Sequence, residues 1–193
     1  DPSSGEFCTL GGMVSTNAAG AHSLHYGSTR AWVNALDCVF ADGDRAVLTR
    51  GEPPPKRIGA ISRFMEDVHG EIVASDKRRP IMHLGVRKES SGYAIHEYGT
   101  KADLIDLLVG SEGTLAIIVG IQLNLSPLPV ATGSVLGSFA SLEEATAAAM
   151  KAVEEGASAC ELLDKTFLSY AAATESADAR FREQIEGAAA ILL

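Results

Sequence analysis

Two short glycine-containing segments carry the residue types in this chain that are suited to binding a polyanionic cofactor. Residues 11–20 read Gly-Gly-Met-Val-Ser-Thr-Asn-Ala-Ala-Gly, and residues 110–115 read Gly-Ser-Glu-Gly-Thr-Leu. Glycine adopts backbone angles that other residues avoid, and the missing Cβ lets a ligand approach the main chain. Successive backbone N–H groups in such turns form concave anion sites. Both segments therefore predict main-chain contacts with a phosphate-bearing ligand.

The polar side chains of the first segment have two interpretations. Thr16 and Asn17 offer a hydroxyl and a carboxamide to phosphate or ribose oxygens, while Ala18, Ala19 and Gly20 leave room for a ring system. Such side chains also bond to their own backbone and tighten a loop. The segment is not a Rossmann dinucleotide fingerprint, because it does not join a strand to a helix. Chemistry alone leaves both interpretations open.

The second segment contains a carboxylate, Glu112, which would repel a phosphate. We interpret Glu112 as an acceptor for backbone N–H groups or ribose hydroxyls. The alternative is a glycine that ends a helix and is followed by an ordinary loop. Residues 87–93 join two basic side chains to a small turn and a tyrosine; they face either an anionic ligand or solvent. His22 and His25 have no third ligand nearby, so no metal site is predicted.

Composition excludes several function classes. The chain has 193 residues, of which 46% are hydrophobic, and a net charge of −9 argues against nucleic acid as a partner. No apolar run approaches the roughly 20 residues that span a bilayer. Three widely spaced cysteines fit a reducing cytoplasm better than a disulfide framework. A globular cytoplasmic protein with a real core is therefore expected, and a peripheral membrane attachment through a partner stays open.

The elements that must position the two segments follow from hydrophobic periodicity and capping signals. Residues 1–27 are predicted as loop and short turns, and Pro127-Leu128-Pro129 as a domain boundary. Before the boundary we predict a short helix capped by Ser28 and running to Ala35, strands at 36–40 and 45–48 joined by a hairpin turn at 41–44, an amphipathic helix at 58–68, a helix at 101–109 capped by Thr100 and a strand at 115–125. After it we predict strands at 133–139, 157–163 and 188–193, with helices opened by Ser141 and Asp164.

Seven motifs occur in one order over residues 1–129: Asp1-Pro2-Ser3-Ser4, Cys8-Thr9-Leu10-Gly11-Gly12-Met13, Thr16-Asn17-Ala18-Ala19-Gly20, Tyr26-Gly27-Ser28-Thr29-Arg30, Ala41-Asp42-Gly43, Ser91-Gly92-Tyr93 and Gly110-Ser111-Glu112-Gly113-Thr114-Leu115. This order resembles the FAD-linked oxidases and dehydrogenases of the vanillyl-alcohol oxidase type. The resemblance is greatest to the branch holding D-lactate dehydrogenase, the glycolate oxidase flavin subunit and D-2-hydroxyglutarate dehydrogenase. The stretch 44–82 is longer than the hairpin that many members carry there.

The resemblance implies an α+β fold. Residues 1–129 would form the second subdomain of a two-part FAD-binding domain, with a mixed or antiparallel sheet and flanking helices, and residues 130–193 would begin an α+β substrate or cap domain. It implies that FAD is bound along the first segment near its adenosine–pyrophosphate part, against a second wall near Gly110, and near the backbone of Ile117 and Ile118. The implied cofactor-binding residues are Pro2, Ser3, Ser4, Gly11, Gly12, Ser15, Thr16, Asn17, Ala18, Gly20, Gly110, Glu112, Gly113, Thr114, Ile117 and Ile118.

The implied reaction is hydride transfer to the flavin from the hydroxyl-bearing carbon of a 2-hydroxy acid, with electrons passed to a separate acceptor. Catalytic and metal-binding residues are expected outside this chain, in parts that would precede Asp1 and follow Leu193, so the chain alone is expected to be inactive. One alternative keeps the flavin fold with other chemistry, as in an alcohol oxidase or an alkyl-dihydroxyacetone-phosphate synthase. Another is a flavin-free scaffold that binds a protein. A homodimer stays open.

Overall fold

The computed structural model describes residues 4–78, 91–173, 183, 185 and 187–193, apart from the side chains of residues 77 and 78. The described chain divides into two compact units. The first unit consists of Ser4–Ala19 and Ser28–Ser126, and the second consists of Gly20–Gly27 and Pro127–Leu193. Each unit has its own sheet and its own apolar cluster. In the described residues, no helix has the length and apolar character needed to cross a membrane.

The first unit is built on a three-stranded antiparallel sheet. Its strands are β1 (Val33–Val39), β2 (Arg45–Thr49) and β3 (Ile117–Leu123), in the order β2-β1-β3. The predicted hairpin is confirmed: β1 and β2 pair directly through a turn in which Gly43 has a φ of 86°. Side chains of the central strand β1 alternate between the two faces of the sheet. Leu36 and Cys38 are fully buried on the same face, which therefore points to the core.

Short helices accompany this sheet in the first unit. They are α1 (Leu10–Ser15), a 3-10 helix (Thr29–Trp32), α3 (Gly59–Asp67), α4 (His69–Arg78), α5 (Ile95–Lys101) and α6 (Leu104–Leu108). The amphipathic pattern at 58–68 correctly predicts α3, whose Ile61 enters the core. Neither α4 nor α5 is predicted from the sequence patterns.

Two local predictions in this unit are wrong. The segment 1–27 is not all loop, because Thr9 caps α1 through its Oγ1, 3.1 Å from Gly12 N, and Val14 is buried in the core. Thr100 lies inside α5 and does not cap the next helix. Ala102, with a φ of 55°, ends α5, and Asp103 caps α6 by accepting from Ile105 N at 3.0 Å.

The position predicted for Ser28 is right, but the element that follows differs. Ser28 is the N-cap residue of the 3-10 helix and makes no side-chain capping bond. The chain enters β1 at Val33, so the short helix does not continue to Ala35. Val33 is fully buried, and its packing in the core favours the extended conformation there.

The described residues of the second unit form another antiparallel sheet and three helices. Its elements are α2 (Ser23–Tyr26), β4 (Gly137–Phe139), α7 (Leu142–Glu154), β5 (Leu162–Asp164), α8 (Lys165–Ala173) and β6 (Ala190–Leu192), and its strand order is β4-β6-β5. The capping predictions are confirmed: Ser141 accepts from Glu144 N and Asp164 from Phe167 N. The apolar C-terminal run forms a strand, as predicted, and the structure places it in the centre of the sheet; β4 and β5 are shorter than predicted.

Both units are therefore helix-plus-antiparallel-sheet structures, in agreement with the predicted α+β class. The short lengths of β4 and β5 in the second unit follow from composition. The stretch before Gly137 contains Pro127, Pro129 and exposed apolar side chains, and the stretch before Leu162 contains Gly156 and four small residues. Proline and small residues pair poorly in a ladder, so only three residues of each strand form one.

Candidate functional site

The structure brings the two glycine segments into direct contact through their main chains. Gly110 N donates to Val14 O at 3.0 Å, and Glu112 N donates to Ser15 O at 2.9 Å. Val14 O also accepts from Asn17 N at 3.2 Å. We call residues 11–18 and 110–114 together the paired-loop surface. Two stretches more than ninety residues apart in sequence thus lie side by side, held together by main-chain hydrogen bonds.

Several residues of this surface have left-handed backbone conformations. Gly110 and Gly113 have φ values of 89° and 79°, and the non-glycine residues Asn17 and Glu112 have φ values of 48° and 52°. A Cβ on Gly110 would lie 3.3 Å from both Asn17 Cβ and Arg30 Nη2, so this glycine permits the close approach of the two segments. Sparsely populated angles at Asn17 and Glu112 mark a tightly determined loop pair.

The main chain is open at two glycines of the paired-loop surface. A Cβ placed on Gly11 or on Gly113 would meet no atom within 4 Å. Glycine is not required there for packing inside the described structure. Both residues leave a free face of backbone where a planar ring or an anion could lie.

The side chains of the surface offer mainly acceptors. Thr16 Oγ1 donates its hydrogen to Gly12 O at 2.9 Å, and Thr114 Oγ1 donates to Ser111 O at 2.6 Å. Because Thr114 has no second hydroxyl hydrogen, Tyr93 must donate in the 2.8 Å bond between their hydroxyls. The free lone pairs of these hydroxyl oxygens and the exposed Glu112 carboxylate can only accept hydrogen bonds. They therefore favour ligands that donate hydrogen bonds, such as ribose hydroxyls, over phosphate.

Asn17 is part of the loop architecture itself. Its side chain is buried, and Oδ1 accepts from Arg30 N at 2.9 Å. Thr16 thus bonds to the backbone of its own loop, and Asn17 bonds to the backbone of Arg30, so both side chains help to fix the shape of the loop. Their predicted contacts with a cofactor stay a prediction.

An arginine–carboxylate network lies beneath the second segment and was not predicted from the sequence. Arg50 Nη1 lies 3.0 Å from Asp106 Oδ1 and 3.4 Å from Asp103 Oδ2, and Arg50 Nη2 donates to Arg30 O at 3.1 Å. Arg30 Nη2 donates to Val109 O at 2.8 Å, next to Gly110. Burial lowers the pKa of Arg30 from its usual value, although Glu97 and Asp106 oppose that shift. The Tyr26–Arg30 motif was the available signal for Arg30.

The other predicted site residues occupy different places. Pro2 and Ser3 lie outside the described residues, as do residues 87–90 of the basic motif. Ser4 is exposed, with Oγ 3.0 Å from Cys8 Sγ, and Ala18 O accepts from Thr29. Gly20 belongs to the second unit.

Ile117 and Ile118 lie on β3, at the edge of the described three-stranded sheet. An edge strand keeps one row of main-chain N–H and C=O groups unpaired within its sheet. Such groups suit the contact with an adenine that the resemblance implies. In the second unit, His22 and His25 lie at the start and within α2, and no cluster of three potential metal ligands occurs among the described residues.

Comparisons with known proteins agree on a flavin family. The family model "FAD binding domain" matches residues 1–49. A D-lactate dehydrogenase of Anaerostipes hadrus is 31% identical over 147 residues, covering 76% of this chain and 22% of that protein. A D-2-hydroxyglutarate dehydrogenase of Pseudomonas putida is 29% identical over 132 residues, covering 63% of this chain and 13% of that protein. The chain thus spans less than a quarter of the length of either relative.

Among solved structures, an alkyldihydroxyacetonephosphate synthase is similar over 100% of this chain and 29% of its own, at a TM-score of 0.49 and 18% identity. The family model and the relatives carry the assignment. Together with the ordered motifs, they show that this chain belongs to the FAD-linked oxidoreductases, in agreement with the vanillyl-alcohol oxidase type.

Proposed function

We propose that the paired-loop surface binds the adenosine side of FAD, in a protein that oxidises a 2-hydroxy acid. The observation that carries this proposal is the joining of the two glycine segments by Gly110 N–Val14 O and Glu112 N–Ser15 O. A cofactor-binding wall needs exposed main chain held in a fixed shape, and these bonds supply that shape. The open faces of Gly11 and Gly113 supply the access.

The residues of the surface have separate roles in this proposal. The backbone at Gly11 and Gly113 allows close approach, and the lone pairs of Thr16, Thr114 and Glu112 accept from ribose hydroxyls. The free edge of β3 at Ile117 and Ile118 provides main-chain groups for the adenine. The remaining predicted contacts, with Pro2, Ser3, Ser4, Gly12, Ser15, Asn17, Ala18, Gly20 and Gly110, belong to the same proposal.

The names of the relatives support the proposed substrate class. Their names give D-lactate and D-2-hydroxyglutarate as substrates, and both molecules carry a hydroxyl on the carbon next to a carboxylate. FAD supplies the hydride acceptor when it is bound, and the protein contributes binding and orientation. We place the catalytic groups and the contact with a separate electron acceptor outside this chain. No specific observation favours other flavin chemistry or a flavin-free scaffold over this assignment.

The first test is the visible absorbance of the full-length polypeptide that contains these residues, purified without added cofactor. A flavin band is expected, with bleaching by D-lactate, glycolate or D-2-hydroxyglutarate under anaerobic conditions. A flavin band that none of these acids bleaches would contradict the substrate class. A colourless protein that cannot be reconstituted with FAD would contradict the cofactor role.

The second test separates cofactor binding from folding. Gly11→Ala adds a methyl group into open space within α1, where alanine favours a helix over glycine by about 0.5–1 kcal/mol. We expect unchanged or higher thermal stability and FAD binding weakened by about ten-fold, because the methyl group occupies the face offered to the cofactor. Gly70→Ala in α4 is the matched control, since its Cβ also meets open space, and it should leave FAD affinity unchanged.

A further inference from the structure

Arg30 connects the two segments of the paired-loop surface. Its backbone N donates to Asn17 Oδ1 at 2.9 Å in the first segment. Its guanidinium Nη2 donates to Val109 O at 2.8 Å, at the residue that precedes the second segment. The residues joined by the second bond are 79 positions apart in sequence. One residue thus touches both segments, through its main chain and through its side chain.

The contact is tight on the side of the second segment. A Cβ on Gly110 would lie 3.3 Å from Arg30 Nη2, which is closer than ordinary van der Waals contact. The guanidinium therefore packs against the backbone at the point where the loop 110–114 begins. Its planar shape and fixed donor directions define where Val109 O lies, which a flexible ammonium would define less well.

Packing of the surrounding core does not explain why a cation is placed here. The Arg30 side chain is 12% exposed, and Glu97 Oε1 is 3.9 Å from its Nη1. Its Nε is buried and has no hydrogen-bond partner among the described residues. The nearby Asp106 already pairs with Arg50 at 3.0 Å. A buried, partly unsatisfied arginine costs stability, which is a reason to seek its role in the shape of the loops.

We propose that Arg30 is a positioning residue for FAD, holding Val109 and Asn17 so that the two glycine segments form one cofactor-facing wall. This inference rests on the proposed FAD role of the paired-loop surface. Arg30 acts through Val109 and Asn17, and the described geometry gives it no need to touch the cofactor. The proposal extends the site to a residue whose side chain lies behind it.

The experiment compares Arg30→Met, Arg30→Lys and Ile61→Ala in the full-length polypeptide that contains these residues. Ile61 is a buried core residue of α3 that makes no hydrogen bond to either segment, so its variant controls for lost stability alone. FAD affinity is measured by fluorescence titration at a temperature where all variants are folded. The melting temperature of each apo-protein is measured alongside.

Arg30→Met is expected to weaken FAD binding by about ten-fold, and Arg30→Lys by about three-fold, because lysine keeps a donor for Val109 O without the planar fork. Ile61→Ala should lower the melting temperature with FAD affinity unchanged. If Arg30→Met does not fold, Arg30→Lys is compared with the milder Ile61→Val. Equal FAD affinities for the arginine and isoleucine variants would overturn the proposal. A wild-type polypeptide that binds no FAD would instead overturn the proposed function, and this inference with it.

Discussion

At the scale of single residues, Asp106 is the carboxylate on which the buried network depends. It is 1% exposed, Oδ1 pairs with Arg50 at 3.0 Å, and Oδ2 has no partner among the described residues. Because two arginines lie near it, loss of its charge leaves Arg50 with the longer contact to Asp103 and removes a favourable interaction with Arg30. Substitution of Asp106 is therefore expected to disrupt the network more than substitution of its more exposed members.

We expect Asp106→Asn to lower the free energy of unfolding by about 2 kcal/mol, since the amide keeps the shape of the carboxyl but leaves buried cations undercompensated. Urea denaturation at pH 7 measures this loss. Asp42→Asn is the control, because Asp42 meets the exposed Arg63 at 3.4 Å and such surface pairs contribute about 0–1 kcal/mol. Equal losses in the two variants would contradict the importance assigned to burial.

Two buried acids of the first unit make it sensitive to high pH. Burial, assisted by Asp37, raises the pKa of the Cys38 thiol from 9.0 to about 11, and burial raises the pKa of the Tyr98 phenol from 10.0 to about 12. For each group the unfolded chain loses its proton first as pH rises. Between the two pKa values the folded state therefore binds more protons than the unfolded state, and its stability falls with pH.

The expected outcome is a free energy of unfolding that declines between pH 9 and 12, with the cysteine acting first and the tyrosine above pH 10. Urea titrations across this range measure the decline. Tyr98→Phe keeps the ring that packs edge-on against Phe64, and it should flatten the part above pH 10. A wild-type profile that stays level through this window would contradict the two shifts.

At the scale of elements, β1 and β3 approach each other closely at one glycine, Gly120. Arg45 holds the carboxylate of Asp37 through two bonds, of 2.9 and 2.7 Å, across β1 and β2, and these bonds lower the pKa of Asp37. On the other side of β1, Asp37 pairs with Gly120 of β3. A Cβ on Gly120 would lie only 3.0 Å from Asp37 Cβ. A side chain there would therefore require Asp37 or the strand to move by a few tenths of an ångström.

We expect Gly120→Ala to destabilise the protein by about 1–3 kcal/mol, because the methyl group must displace Asp37 or the strand. Thermal and urea unfolding give the size of the loss. Gly70→Ala, whose Cβ meets open space in α4, is the matched control and should be neutral or stabilising. A Gly120→Ala protein as stable as that control would show that β3 shifts freely at its edge.

At the scale of the whole molecule, the two units are expected to respond differently to FAD. A ligand that binds only the folded state stabilises it by mass action, by about 2.7 kcal/mol at 100 times its Kd. If the proposed function holds, that stabilisation is concentrated where the ligand contacts the main chain. The segments at issue are residues 10–18 and 110–118 of the first unit.

We expect FAD to slow amide hydrogen exchange most strongly in these two segments, measured by mass spectrometry on the full-length polypeptide. Exchange in α7 and α8 of the second unit should change little, because no predicted cofactor contact lies in either helix. Riboflavin lacks the adenosine part and is the control ligand, which should leave both segments unprotected. Protection by riboflavin equal to that by FAD would contradict the adenosine-side assignment.

What the sequence determines by itself are features whose partners lie within a few residues. The caps at Ser141 and Asp164 each bond to a backbone N–H three positions ahead, so the sequence is sufficient to place them. The hairpin turn at residues 41–44 and the amphipathic helix α3 follow from local composition and period in the same way. The ordered motifs likewise identify the flavin family, which the family model and the relatives confirm.

The tertiary structure decides the features whose partners are distant in sequence. Burial of Val14 supports α1 across two glycines that disfavour a helix, and the left-handed Ala102 divides a run that periodicity predicts as one helix. The pairing of Val14 with Gly110 and the bond from Arg30 to Val109 depend on the folded chain bringing remote segments together. Local propensity carries no information on such contacts, because loop closure and core packing determine them.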